Sequence, residues 1–137
     1  MRMSEAILLG STLLKPVSGV FMTVDGTGGC AYGMARKAGW RSQSELETMM
    51  VAELPCGCGK HGEMVMGGSR VMSDLLAWNR TVSFAIVHLF NQHVCDGTWT
   101  IEQLADWVRE QEDRLEGLKQ QTQQPEAVEP ANEYSAV

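Results

Sequence analysis

The sequence predicts a mainly α-helical, compact single domain of five or six helices, followed by a disordered acidic tail. Three observations carry this. A capped amphipathic stretch begins at Thr100, an apolar run from Thr81 to Asn91 has no helix breaker, and the composition suits one packed core. The 137 residues are 44% hydrophobic and 20% charged, which is globular rather than disordered or membrane-embedded. The expected boundaries are a helical domain over residues 1–118 and a tail over 119–137.

Taken in order, Ser4–Leu14 reads as a helix with Ser4 as its cap and Lys15-Pro16 as its end. Val20–Val24 is the one credible strand. The turn signal DGTGG follows it, which leaves open a minor β-hairpin near residues 20–27 or a merely extended segment. Gly29–Ala38 resumes a helix that Gly39 can close, with Ala31, Met34, Ala35 and Ala38 on its inner side. Ser44–Leu54 is another helix, Ser44 and Glu47 having capping-box spacing. Pro55–Ser69 contains five glycines and is the least helical part of the chain. Met72–Trp78 then offers one or two helical turns.

In the next element Val82, Ala85, Ile86, Leu89 and Phe90 make a helical stripe, while Phe84 and Val87 fill the opposite side. A helix apolar nearly all round is a central one. A buried strand over Val82–Val87 competes with it; the unbroken continuation to Asn91 favours the helix. After the turn VCDGTW, Thr100 and Gln103 form a capping box, with Trp99 and Leu104 placed as a hydrophobic staple. Ile101, Leu104, Ala105, Val108, Leu115 and Leu118 recur along one face. Glu102, Asp106, Arg109, Glu110, Glu112 and Asp113 are assigned to the other, and Gly117 is the expected stop. The tail is rich in Gln, Glu and Pro and lacks the apolar groups needed to order it.

The net charge of −6 is unevenly placed. Residues 1–95 hold seven acidic and eight basic residues, whereas residues 96–137 hold ten acidic and three basic. Two helices joined by a Gly-containing turn invite a DNA-binding reading, but the acidic face of the second helix would repel phosphates. Direct nucleic-acid binding is therefore not expected. The apolar run after Arg2 is short, is interrupted by Glu5 and lacks a small-residue cleavage site, so a helix is expected there rather than a signal peptide. With no membrane span expected either, a cytoplasmic protein follows. Its four cysteines are then expected as thiols or metal ligands, not as a disulfide framework.

Cys56-x-Cys58-x-x-His61 is the sharpest local cluster, since thiolates and imidazole are the usual ligands of zinc and a Gly-rich loop can turn several toward one ion. Cys-x-Cys is tighter than the usual spacing, and a fourth ligand would have to come from Cys30, His93 or Cys95. Cys95 is taken as the fourth. Unliganded thiols in a flexible loop are the plainer alternative, so no cofactor is the default and zinc is the alternative to it.

Cys30 lies near the N-terminus of the helix expected over Gly29–Ala38, where the dipole can lower a thiol pKa and make a nucleophile. Burial as a small apolar group is the commoner fate of a free cysteine. Gly26-Thr27-Gly28-Gly29 lacks both dinucleotide and P-loop patterns and is explained by a turn. His88, inside an apolar helix, is expected to be a core histidine.

CAYGMARKAG (residues 30–39) resembles the Cys-Ala-x-Gly-x-Ala helix of a group of small bacterial and phage-encoded helical proteins. IVHLFNQHVCDGTWTIEQLADWV (residues 86–108) is similar to their His-Leu-Asn-Asp … Trp-Thr/Ser-x-Glu-x-Ile-Ala-Asp-Trp segment, with Phe90 interrupting the polar pair. The group has no established activity. The resemblance implies an accessory or mobile-element protein and a mostly helical domain.

The function expected from all this is non-enzymatic. The chain would bind another protein, or a second copy of itself, through Glu102, Asp106, Glu110 and Asp113. The alternatives are a zinc-stabilised structural or regulatory module on Cys56, Cys58, His61 and Cys95, and a cysteine-dependent enzyme using Cys30.

Overall fold

The apolar stripes of the first, second and last helices meet in one core, in which Met3, Ile7, Met34, Leu104 and Val108 are fully buried. The computed structural model describes residues 1–57 and 80–123. Among them are five α-helices: α1 (Met3–Gly10), α2 (Ala31–Lys37), α3 (Ser44–Glu47), α4 (Val82–Leu89) and α5 (Ile101–Gln123). The only sheet among these residues is a two-residue parallel pair, β1 (Lys15–Pro16) beside β2 (Gly28–Gly29). The fold is mainly α, as expected.

α1 is shorter than its apolar pattern. It begins after Arg2, and Ser4 is a buried helical residue rather than the cap. It ends at Gly10, where the hydroxyls of Ser11 and Thr12 donate to the carbonyls of Leu8 and Leu9, both at 2.7 Å, and turn the chain out. Gly10 is needed there, because a Cβ would run into the Met34 carbonyl of α2.

The expected strand over Val20–Val24 reduces to one antiparallel bridge between Met22 and Gly29. Thr23 to Gly28 form a tight turn, in which Gly26 has φ +76° and the Asp25 carboxylate accepts from Thr23 and Thr27. α2 follows, and Gly39 closes it with φ +108°, as its sequence indicates.

α3 is a single turn, not the helix to Leu54 that the sequence suggests. Glu47 does act as a cap, but for Gln43, whose N–H it accepts at 2.8 Å, rather than for Ser44. Beyond α3 the backbone pairs across the core. Val51 N–H donates to Arg80 at 2.8 Å, Val82 N–H donates to Met49 at 2.9 Å, and Met50 bridges Thr81. Those long-range bonds take the backbone groups that a longer α3 would have used itself.

Val82–Val87 is helical. Thr81 caps α4 by accepting from Phe84 N–H at 3.2 Å. The chain then widens into a π-helical turn, Phe90–Val94, closed by Cys95 N–H donating to Phe90 at 3.0 Å. α5 opens with the expected capping box. Thr100 N–H donates to Gln103 at 2.8 Å, and Gln103 N–H donates to Thr100 at 3.0 Å.

Gly117 does not stop α5, which runs on to Gln123. An exposed glycine in a helix costs only about 1 kcal/mol against alanine. Ahead of it, Arg114 donates to the Met50 carbonyl at 2.7 Å, and beyond it Lys119 pairs with Glu45 at 2.9 Å. Glu112 also departs from expectation. It is buried, not on the outer face. No helix of the described residues is long and apolar enough to cross a membrane.

Candidate metal centre

Cys56, His88 and His93 present one ligand atom each, and the three atoms lie within 4.8 Å of one another. Each arrives by a different route. Cys56 follows Leu54, a buried core residue that anchors this stretch, and the chain turns at Gly57 with φ +79°. His88 is buried in the last turn of α4, its ring stacked on Phe84 one turn earlier at 6.0 Å. His93 sits on the π turn.

The π turn is what brings the histidines together. Five residues of α-helix advance by roughly 500°, which would leave the two side chains about 140° apart. The wider turn reduces that angle, and the His93 ring meets the His88 ring edge-on with centroids 5.3 Å apart.

Nε2 of His88 lies 3.5 Å from Sγ of Cys56. In a tetrahedral zinc site, Zn–S bonds of about 2.3 Å and Zn–N bonds of about 2.0–2.1 Å set the S···N edge near 3.5 Å. That pair already has ligand spacing. The same distance also suits a thiol–imidazole hydrogen bond, which is the metal-free reading of the contact.

His93 has an oriented ring. Its Nδ1 is 2.9 Å from Thr98 Oγ1, and Thr98 Oγ1 is 2.8 Å from the Asp96 carboxylate. A threonine hydroxyl carries one proton, and the carboxylate is a better acceptor than the His93 carbonyl at 3.3 Å. Thr98 therefore donates to Asp96 and accepts from Nδ1–H, which places the ring's lone pair on Nε2. Metal-binding histidines are held through the second nitrogen in this way. Backbone and side-chain hydrogen bonds from Thr98 keep the Asp96 carboxyl below the usual carboxylate range.

The residues expected from sequence are distributed differently. Cys56 is in the group. Cys58 and His61 lie outside the described residues. Cys95 is exposed and not a member of the group, and its thiol pKa is pushed up by partial burial and by the neighbouring Asp96 charge. The sequence offers His93 among three donors for a fourth ligand and places His88 in the core, where it is indeed buried. A histidine five residues from another carries no helical-face signal, so nothing in the sequence would have paired them.

Cys30 occupies the N-cap position of α2 without a side-chain capping bond, is half-buried, and lines a cavity of about 370 Å³ with Tyr32 and Ser83. Glu102, Asp106, Glu110 and Asp113 are all exposed on α5. Two of them are engaged within the chain: Asp106 with Arg109 at 2.9 Å and Asp113 with Arg2 at 2.8 Å.

Comparison with protein-family models, curated proteins and solved structures gives no match to this chain.

Proposed function

We propose that this protein is a zinc-stabilised module in which Cys56, His88 and His93 ligate the ion. The observation that carries the reading is the 3.5 Å separation of Cys56 Sγ and His88 Nε2, the edge length of a tetrahedral zinc site. A shared ion would add a tie between the segment after α3, α4 and the π turn, beside the backbone bonds that already join Met49–Val51 to Arg80–Val82. Thiolate with imidazole favours zinc over calcium or magnesium, which take oxygen ligands. Three protein ligands leave a fourth position for water, for a further side chain or for a partner's group.

The test is metal content on untagged protein purified without added zinc, and again after zinc addition and desalting. About one zinc per chain is expected, with loss in Cys56→Ser and His88→Gln and retention in Cys95→Ser. Loss in Cys58→Ser as well would make that residue a fourth ligand. Absence of zinc from the native protein after zinc addition would remove the reading.

A second reading is supported by the stripe of exposed acids at i, i+4 and i+8, namely Glu102, Asp106 and Glu110, on α5. This face would dock a basic segment of another protein or of a second copy. Arg109 offsets part of its charge and Arg2 occupies Asp113, so Glu102 and Glu110 carry the attraction. A Glu102→Lys/Glu110→Lys variant should lose salt-sensitive binding to a lysine-rich peptide; undiminished binding would exclude that face.

A further inference from the structure

We propose that the cavity of about 370 Å³ beside α2 and α4 binds a small organic ammonium ion, a primary amine carried on an apolar body. This is independent of the zinc reading and uses none of its ligands.

The volume falls in the range of small-molecule pockets. Phe21, Val87 and Phe90 are apolar residues of its lining, and Glu47, Tyr32 and Ser83 are polar ones, the Glu47 charge acting on the Tyr32 hydroxyl. No Lys, Arg or His lines it among the described residues. The carboxylate is fixed in place, its Oε2 accepting from Ser42 Oγ at 2.7 Å and from Gln43 N–H at 2.8 Å. The Tyr32 and Ser83 hydroxyls lie 3.0 Å apart. Burial, with the Glu47 charge adding to it, pushes the Tyr32 hydroxyl pKa up; its proton goes to Ser83 Oγ, and the phenol oxygen keeps acceptor capacity.

An anion entering here would meet a carboxylate and no compensating cation. An ammonium group would pair with the carboxylate in a lining that also holds the aromatic residues Phe21, Tyr32 and Phe90.

Contacts within the chain hold the cavity wall. Gly33 has no Cβ to block the Phe21 carbonyl, which approaches α2 and accepts from Cys30 N–H at 3.2 Å. Gly19 N–H donates to Asn91 Oδ1 at 3.2 Å, fixing the same loop to the π turn. A wall held by such contacts reduces the ordering cost of binding.

The experiment is a titration of the full chain, followed by amide shifts in NMR, with benzylamine, benzyl alcohol and benzoate as probes of one size and three charges. Benzylamine should shift Ala31, Tyr32, Ser83 and Val87, and saturate at about tenfold lower concentration than the alcohol, the ratio expected of a charge-assisted hydrogen bond. Benzoate should not bind. Glu47→Gln should weaken benzylamine about tenfold and leave benzyl alcohol unchanged, which separates lost charge from lost folding. Val87→Trp should fill the cavity and abolish both. Absent shifts at these residues, benzoate binding as well as benzylamine, or benzylamine binding unaltered in Glu47→Gln would overturn the proposal.

Discussion

The carboxylate of Glu112 accepts the hydroxyl proton of Ser4 at 2.6 Å, across 108 positions of sequence. The same carboxylate accepts Met3 N–H at 2.8 Å, so a side chain of α5 satisfies the open N-terminus of α1. A negative charge at that end also complements the helix dipole. Glu112→Ala should destabilise the protein by about 2–3 kcal/mol, since it strands buried donors, and Ser4→Ala by about 1 kcal/mol. Chemical denaturation of both variants and the double variant would measure this. Strictly additive losses would contradict the contact.

Two glycines should respond oppositely to alanine. At Gly10 a Cβ would collide with the Met34 backbone, so α1 and α2 must separate, with a loss of about 1–3 kcal/mol or more. At Gly117 a Cβ meets nothing, and the helix should gain about 0.5–1 kcal/mol. Thermal melts of the pair check both signs.

Thr98→Val removes the hydroxyl that orients His93 while keeping the side chain's shape. Zinc affinity in a chelator competition should fall about 10–100-fold with the fold intact. Unchanged affinity would mean that Thr98 does not position the ligand.

If zinc binds only the folded chain, roughly a hundredfold excess over its Kd should stabilise by about 2.7 kcal/mol, raising Tm, and a chelator should reverse the shift. Affinity should fall as pH is lowered, because the thiolate and imidazoles must bind as deprotonated ligands.

Asp25 gives a pH test away from the metal ligands. Hydrogen bonds from Thr23 and then Thr27 hold its carboxyl below its ordinary value of 3.8. A folded pKa below the unfolded one contributes stability that is present above the unfolded value and is lost as pH falls through the folded one. Protection of the Thr23–Gly28 turn in hydrogen exchange should therefore weaken on acidification below about pH 4. In Asp25→Asn it should be weaker at neutral pH and lose that dependence.

Local chemistry accounts for what the sequence conveys well. Thr100 and Gln103 cap α5 through bonds three residues apart, and Gly39 closes α2 through its own backbone freedom. Neither needs knowledge of a distant partner. The helical identity of Val82–Val87 likewise followed from an apolar run too long for a strand.

Where distant parts of the chain compete, local pattern misleads. The helix signal after Ser44 yields to backbone pairing between Met49–Val51 and Arg80–Val82. Glu112 looks like another surface acid until the start of α1 supplies its donors.

The sequence by itself determined a mainly helical fold, the α5 cap, and Cys56 as a candidate ligand, because periodicity, capping and donor chemistry act within a few residues. Only the tertiary structure decided which groups stand beside Cys56. A π turn carried His93 over His88, and the core brought His88 to a thiol 32 residues earlier. Both are consequences of packing, which fixes distances that residue spacing along the chain leaves open.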